Sequence, residues 1–193
     1  MNGNPSSDKL GEELYLRFAE GDESAFAELV GLYRESLTMY IYSFVKDMYE
    51  AEDLMIDTFA CLAEELGFEG RSSLKTYLFA IARHLAMRCL KKRRNRVHVS
   101  IEELVCEPGA SGGSSPETDY LRGERRERLR NCMQKLKPEY SEVLNLLYFE
   151  NMSYAGAAKT MKKTKKQIDN LTYNAKISLK AVMESEGFTY EEQ

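Results

Sequence analysis

The fold is decided by the stretch Ser153–Met183, which reads SYAGAAKTMKKTKKQIDNLTYNAKISLKAVM. Its apolar spacing predicts two short helices, one near Ser153–Met161 and one over Thr164–Met183, joined by a tight turn. Thr164, followed three residues later by Gln167, has the pattern of a capping box at the start of the second helix. Two short helices with a tight turn between them, the second rich in lysine, match the helix-turn-helix pattern.

The second of these helices is predicted to have one apolar face and one polar face. A recognition helix needs both, because one face docks on its own domain while the other enters the major groove. Lysine can bond guanine or phosphate, and asparagine or glutamine can bond adenine. An alternative is a solvated lysine-rich helix, and the turn has Lys162 and Lys163 where a glycine is often found. The candidate DNA-reading residues are Thr164, Lys165, Lys166, Gln167, Asn170, Tyr173 and Asn174.

Outward from this motif, the chain divides at Val99–Pro116, a segment rich in glycine, serine and proline. That composition is typical of a flexible linker. Elsewhere apolar residues recur at three-and-four spacing, and no strand-like alternation extends beyond a few residues. We therefore predict an all-α fold of two small helical domains: a four-helix domain over residues 1–98, a linker over 99–116 and a helix-turn-helix domain over 117–193.

Helix boundaries in this prediction come from capping and breaking residues. Four helices are expected in the first domain. The first begins near Leu14, and the second follows a cap at Asp22 or Ser24. The third lies near Ala51–Leu66, and the fourth lies near Ser73–Arg94 with Leu78, Ile81, Leu85 and Cys89 or Leu90 along its apolar face. Serine before proline at Ser115-Pro116 predicts the start of another helix, which buries Leu121, Leu129, Cys132 and Leu136. Pro138 predicts the start of the next, with Val143, Leu144, Leu147 and Tyr148 inward.

Charge is unevenly distributed, although the net charge is only -4. Leu10–Gly70 is acidic, whereas Arg71–His98 contains nine basic residues and no acid. Lys159–Lys180 adds seven lysines against the single Asp169. Two basic segments suit a polyanion such as nucleic acid, and the acidic remainder suits a basic protein partner or simply solubility.

The first basic segment also contains aromatic residues. Phe68, Tyr77 and Phe79 lie close in sequence to several cations, and single-stranded nucleic acid is bound by stacking on aromatics and by charge along its backbone. Tyr77 could equally be a core residue. The run Lys91–Arg94 could equally be a solvated helix end that interacts favourably with the helix dipole.

Several other classes of protein are disfavoured. No apolar run is long enough to span a membrane, and the N-terminal residues lack the apolar core of an export signal, so we expect a cytoplasmic protein. Four dispersed cysteines and two histidines do not have the spacing of a metal site. No pattern of catalytic residues is recognisable, so the chain is not expected to be an enzyme or to need a cofactor.

Several segments resemble, in order, those of bacterial RNA polymerase sigma factors of the extracytoplasmic-function type. Glu50–Phe59, EAEDLMIDTF, resembles their polymerase-clamp-binding helix, and Phe68–His84, FEGRSSLKTYLFAIARH, resembles their promoter-melting segment. Asp22–Leu29 matches the opening of their first domain. Leu136–Leu144 and Phe149–Ser153 resemble the start of their second. Ile56, Tyr77 and His84 replace residues that are usual in the family, and the second domain departs from its pattern at Ala155–Ala158.

The resemblance implies a sigma2-like first domain and a sigma4-like second domain. It implies core RNA polymerase, through its clamp and flap, and promoter DNA as partners, with an anti-sigma factor as a further partner. It assigns clamp binding to Glu52, Asp53, Leu54, Ile56 and Asp57. It assigns the minus-ten DNA to Phe68, Arg71, Ser72, Lys75, Tyr77, Arg83, His84, Arg88, Lys91 and Lys92. It assigns binding of the minus-thirty-five duplex to the seven residues named above for the second helix of the helix-turn-helix.

Two other functions are open at this point. A stand-alone helix-turn-helix regulator would bind duplex DNA tightly without polymerase. A degenerate sigma-like interaction module would bind a protein partner without directing transcription, and the atypical second domain keeps this alternative open. The promoter sequence and the inducing signal are not specified by the residues.

Overall fold

The computed structural model describes residues 5–65, 68–97 and 128–188, and all regular structure in these ranges is helical. The first half contains α1 (Pro5–Ala19), α2 (Glu23–Val45), α3 (Met48–Glu65) and α4 (Leu74–Val97). The second half contains α5 (128–134), α6 (Pro138–Leu144), a π-helical turn (Asn145–Phe149), α7 (Tyr154–Met161) and α8 (Lys165–Ser185). The prediction of an all-α fold is confirmed.

Two of the predicted caps are present with their hydrogen bonds. Asp22, rather than Ser24, begins α2, because its side chain accepts from the backbone N–H groups of Ser24 and Ala25 at 3.0 and 3.3 Å. Hydrogen bonds from the hydroxyl of Ser24 and from Arg17 hold the pKa of Asp22 down to about 2. The capping box of Thr164 and Gln167 begins α8, as the sequence predicts.

The core of the first half is built around α2. Leu29, Tyr33, Leu37, Tyr40 and Ile41 of this helix are buried, and α2 packs against α1, α3 and α4. At 100° per residue these five residues fall within about 120° of the helix circumference, so they form one broad apolar stripe.

The predicted apolar face of α4 was partly wrong. Leu78 is fully buried, but Ile81 and Leu85 are only half-buried. The buried residues are Leu74, Leu78, Phe79, Ala82 and Ala86. The face is displaced because α4 packs against α2 and α3 on one side and against α7 on another.

In the second half, the π-helical turn changes which residues point inward. Val143, Leu144 and Leu147 are buried as predicted, but Tyr148 is 50% exposed and Leu146 is fully buried. The N–H of Glu150 donates to the carbonyl of Asn145 at 3.0 Å, which is the five-residue hydrogen bond of a π-helix. The inserted residue shifts the register of the last turn, so the three-and-four spacing gives the wrong position for Tyr148.

The two halves pack directly against each other through α4 and α7. Gly156 of α7 lies at this contact, and a Cβ atom there would be 2.9 Å from Oγ1 of Thr76 in α4. The glycine therefore has a packing role, since it permits the close approach of the two helices. The predicted linker Val99–Pro116, the helix start at Ser115-Pro116 and Leu121 all lie outside the described residues, and the division into domains stays a prediction.

Candidate nucleic-acid interface

The acidic helix α3 presents most of its predicted clamp-binding residues to solvent. Asp53 and Asp57 are exposed, Ile56 is 60% exposed, and Glu52 is half-buried. Leu54 is also half-buried, and it packs against the hydrophobic core. The exposed acids with Ile56 among them form a surface that combines negative charge with an apolar contact, which fits a basic protein partner.

One side of α4 forms a continuous open surface of aromatic and cationic residues. At 100° per residue, Tyr77, His84, Arg88, Lys91 and Lys92 fall within one sector of the helix. Tyr77 is half-buried, and the other four are exposed. We call these five residues the open face of α4. Their combination of one ring and several cations is the type of surface that single-stranded nucleic acid requires.

Phe68 lies beside the open face and is fixed by two other rings. Its ring centroid is 5.8 Å from that of Tyr77 and 5.4 Å from that of Tyr15, the latter edge to face. The backbone N–H of Phe68 also donates to the hydroxyl of Tyr15 at 3.4 Å. Tyr77 is therefore both a packing residue and an edge of the open surface, so neither of its two predicted roles excludes the other.

Phe79 does not belong to this surface, which corrects its inclusion among the stacking aromatics. It is fully buried, and its ring lies 4.9 Å from that of Tyr40 in α2. It falls on the opposite side of α4 from the open face. A base has no access to this ring.

Lys75 and Arg83 also lie on the side of α4 away from the open face, where they contact the second half of the chain. Nζ of Lys75 is 2.9 Å from a carboxylate oxygen of Glu150 and donates to the Glu150 carbonyl at 2.7 Å. Nε of Arg83 donates to a carboxylate oxygen of Glu142 at 2.6 Å. The ten residues predicted to bind the minus-ten element are thus not brought together on one surface.

The electrostatics around Glu142 are those of a buried charged group with its partners. Glu142 is 3% exposed, and it also accepts a hydrogen bond from Tyr40 at 3.1 Å. Burial acts to lower the pKa of Arg83, but the hydrogen bond and the charge of Glu142 outweigh it and raise that pKa. Burial, and after it the charge of Glu142, raises the pKa of Tyr40 far above its usual range. Arg83 is therefore firmly charged and Tyr40 firmly neutral.

The loop before α4 places Arg71 and Ser72 near the second half. The side chain of Arg71 is 84% exposed and pairs with Glu69, while its backbone carbonyl accepts a hydrogen bond from Lys159 of α7. Ser72 is half-buried and lines a cavity of about 440 Å³ together with residues of α1 and α7, including Lys159. Arg71 is thus the member of this loop that is open to a polyanion.

Helix α8 presents its predicted reading residues to solvent. All seven are exposed, and Tyr173 is 68% exposed. The side chains of Thr164 and Gln167 are engaged in the capping box, so they begin the helix as well as lying on its surface. Ile168 and Ala175 lie on the apolar face of α8 and are fully buried. Thr172 is also buried, and its hydroxyl donates to the carbonyl of Ile168 at 2.7 Å.

Sequence reasoning missed Glu142, Glu150 and the structural use of Arg93. Arg93, inside the predicted phosphate-binding run, pairs with Glu50 at 2.6 Å and donates to the carbonyl of Val45 at the end of α2. Glu142 directly precedes the buried Val143 and Leu144. This position alone gives no signal of an ion pair, because Asp57 also precedes two buried residues, Thr58 and Phe59, and is exposed.

The described part of the chain has no helix that is both long and apolar enough to cross a membrane. It also contains no group of three or more histidine, cysteine or acidic side chains suited to a metal ion. The helical fold, the helix-turn-helix and the separate acidic and basic faces together define a helical DNA-binding protein with a second, acidic contact surface.

Comparison with known proteins identifies the family. Residues 29–96 match the family model for Sigma-70 region 2, and residues 126–179 match that for Sigma-70, region 4. The chain belongs to the sigma-70 family of RNA polymerase sigma factors, in its extracytoplasmic-function group, as the sequence predicts. Sigma factors are the class of transcription factors that bind RNA polymerase and DNA.

Two curated relatives and one solved structure illustrate the similarity. The sigma factor BldN of Streptomyces coelicolor is 30% identical over 84% of this chain, which spans 62% of BldN. The RNA polymerase sigma-H factor of Pseudomonas aeruginosa is 31% identical over 78% of this chain, which spans 81% of that relative. The sigma factor RpoE of Bartonella quintana, co-crystallised with the anti-sigma factor NepR, is 24% identical, with a TM-score of 0.64 over 82% of this chain and 96% of RpoE. This last likeness bears on the fold alone.

Proposed function

We propose that the chain binds the clamp of core RNA polymerase through α3 and directs the enzyme to a specific set of promoters. The observation that carries this proposal is the separation of charge onto different helices. Asp53 and Asp57 are exposed on α3, while other exposed residues, most of them cations, lie on the open face of α4 and on α8. Acidic residues would meet polymerase, and basic residues would meet DNA.

The contact with the clamp rests on Asp53, Ile56 and Asp57. All three are exposed on α3, within one and a half turns of helix. Two carboxylates can pair with basic residues of the polymerase, and the exposed Ile56 supplies an apolar contact between them. Leu54 supports this surface from the core side, because it packs inward.

The minus-ten element would be bound as a single strand by the open face of α4 and by Phe68. Tyr77 and Phe68 offer rings for stacking, which contributes about 1–3 kcal/mol per base. A base flipped into the loop next to Arg71 would recover the few kcal/mol that its extrusion costs. Arg88, Lys91 and Lys92 would bind phosphates along the same strand.

The minus-thirty-five element would be read as a duplex by α8. Lys165, Lys166, Asn170 and Asn174 are exposed on this helix, and Tyr173 projects between them. Asparagine can bond adenine through two hydrogen bonds, and lysine can bond guanine or phosphate. Asp169 is exposed on the same helix and would repel phosphate unless it accepts a hydrogen bond from cytosine.

Further partners and the location of the protein follow from this proposal. RpoE, whose fold this chain shares, has been crystallised with an anti-sigma factor. We therefore propose an anti-sigma factor as a further partner. We also propose a cytoplasmic location, because bacterial polymerase works there. In this role catalysis belongs to the polymerase, and the chain supplies recognition.

Size-exclusion chromatography with core polymerase from the encoding bacterium tests the proposal. The full chain is expected to co-elute with the core enzyme, and Asp53→Arg is expected to abolish co-elution, because it places a cation against the basic clamp surface. Glu35→Arg is the matched control, since Glu35 is an exposed acid of α2 that lies outside the α3 surface. If wild type fails to co-elute, or if both variants lose binding equally, α3 is not the polymerase contact. Tight duplex binding by the chain alone would then favour a stand-alone regulator.

A further inference from the structure

Asp169 is an acid on a helix that is otherwise rich in lysine. It is the one acid of α8 before Glu184, and it is exposed. Lys165 and Lys166 lie four and three residues earlier, a spacing at which opposite charges commonly pair on a helix. Within the described residues, however, Asp169 has no hydrogen bond and no ion pair. Its carboxylate is therefore open to an external donor.

The stability of the helix does not account for this acid. Acidic residues stabilise a helix when they lie in its first turn, close to the partial positive charge of the N-terminus. Helix α8 begins at Lys165, so Asp169 lies in the second turn. The N-terminus is also already capped by Thr164 and Gln167.

Asp169 shares one face of α8 with the residues proposed to read DNA. At 100° per residue, the arc from Asp169 to Asn174 covers about 140° and also contains Lys166, Asn170 and Tyr173. All five are exposed, and the buried residues of the helix lie outside this arc. The N-terminal part of a recognition helix contacts base edges. Asp169 is therefore placed to enter the major groove together with Asn170.

A carboxylate in the major groove distinguishes between bases because it can only accept hydrogen bonds. Guanine presents two acceptors there, and thymine presents an acceptor and a methyl group. Adenine presents a donor, but an acceptor lies beside it. Cytosine presents its amino donor and no acceptor. An acid at this place therefore favours cytosine over the other three bases.

We propose that Asp169 selects a cytosine at one position of the minus-thirty-five duplex. This role rests on the proposed function, since it names a base in the duplex that α8 is proposed to read. Repulsion between the acid and the phosphates weakens binding to DNA in general, and the hydrogen bond from cytosine offsets that repulsion at the correct site. Neighbouring residues lie about 1.5 Å apart along the helix axis, and base pairs lie about 3.4 Å apart. The positions read by Asp169 and Asn170 should therefore lie within about two base pairs of each other.

Start sites mapped on fragmented genomic DNA, transcribed by core polymerase with the full chain, test this role. The wild-type sites should share a cytosine at one position of the minus-thirty-five motif. Asp169→Asn should change the preference at that position alone from cytosine to adenine, because asparagine bonds adenine through two hydrogen bonds. On one mapped promoter made with each base at that position, the ratio of run-off transcript from cytosine to that from adenine should fall at least about tenfold.

Three further variants serve as controls. Asp169→Ala should relax the preference at the same position without creating a new one, since alanine neither donates nor accepts. Asn170→Ala should instead relax a neighbouring position. Glu184→Gln removes an equal charge from α8, but Glu184 lies near the C-terminal end of the helix and pairs with Lys180, so the motif should match that of wild type.

The outcomes separate the role of Asp169 from the proposed function. If both Asp169 variants raise transcription from all promoters alike and leave the base frequencies unchanged, Asp169 is only a solvated acid, although the sigma-type function stands. Selection from a duplex library with a randomised central segment, by the chain alone, covers the converse case. If polymerase yields no new start sites but the selected duplexes change from cytosine to adenine with Asp169→Asn, the base reading stands and the sigma-type function fails. If neither assay yields a motif, both are overturned.

Discussion

The contact between Gly156 and Thr76 gives a quantitative prediction about how the two halves pack. Replacing glycine by alanine in a helix interior normally stabilises a protein by about 1 kcal/mol. Here the new Cβ atom would lie 2.9 Å from Oγ1 of Thr76, a buried atom that is hydrogen-bonded to Ser73 at 2.9 Å. Overpacking of this kind costs about 1–3 kcal/mol. Gly156→Ala should therefore lower the free energy of unfolding by up to about 2 kcal/mol.

The effect of Gly156→Ala on the free energy of unfolding should have the opposite sign once the side chain of Thr76 is removed. In a Thr76→Ala background the closest remaining atom is Oγ of Ser153 at 3.5 Å, an ordinary van der Waals distance, so Gly156→Ala should stabilise by about 1 kcal/mol. The double-mutant cycle is thus expected to give a coupling of about 1–3 kcal/mol between residues 80 positions apart in sequence. Urea unfolding followed by circular dichroism measures each corner, and with a slope of about 2 kcal/mol per molar the shifts are near 0.5 M.

Gly31→Ala is the matched control for this cycle. Gly31 also lies inside a helix, and a Cβ atom there would meet nothing within 4 Å. It should stabilise by about 1 kcal/mol in both backgrounds. If Gly156→Ala behaves like Gly31→Ala, with coupling below about 0.3 kcal/mol, then α4 and α7 do not pack as described and the reasoning fails.

Three further predictions concern single positions. Gly11→Ala should destabilise by about 1–3 kcal/mol, because its Cβ would lie 2.9 Å from Cε2 of the buried Tyr33 ring; an unchanged urea midpoint would contradict the packing of α1 on α2. Asp22→Ala should lower the melting temperature at pH 6. The pKa of Asp22 is lowered from 3.8 to about 2, so the ionised side chain stabilises the fold fully above about pH 4 and this stabilisation is lost as pH falls through 2. The melting temperatures of the two proteins should therefore converge near pH 2. A difference in melting temperature that stays constant with pH would refute the role of Asp22 as a charged cap. Ile168→Ala should destabilise by about 2–5 kcal/mol, since the side chain is fully buried beneath α8, and calorimetry showing a loss under 1 kcal/mol would mean that α8 docks by another face.

Local signals in the sequence were sufficient to predict the all-α fold class and the helix-turn-helix. The cap at Asp22, the capping box at Thr164 and the buried Ile168 all follow from rules that act within one turn of helix. The exposure of the reading residues on α8 follows from the same periodicity, since a helix with one docked face leaves the other open.

Features that depend on contacts between residues far apart in sequence could not be predicted from those local signals. The sequence predicts an inward position for Tyr148 because three-and-four spacing does not account for the extra residue of a π-helical turn. Phe79 was assigned to a nucleic-acid surface because nothing near it in sequence indicates that Tyr40, 39 positions earlier, covers its ring. The pairing of Arg83 with Glu142 spans 59 positions, so only the folded chain divides the cations of α4 between an open face and an internal contact.

The most direct test of the central claim is transcription of fragmented genomic DNA in vitro by core polymerase with and without the chain, followed by sequencing of RNA 5′ ends. We predict that the chain creates a discrete set of start sites that share one pair of minus-ten and minus-thirty-five motifs, and that Lys165→Ala/Asn170→Ala in α8 weakens their use. If the start sites with the chain are the same as those with core polymerase alone, although the chain co-elutes with the enzyme, the chain is an interaction module and not an initiation factor.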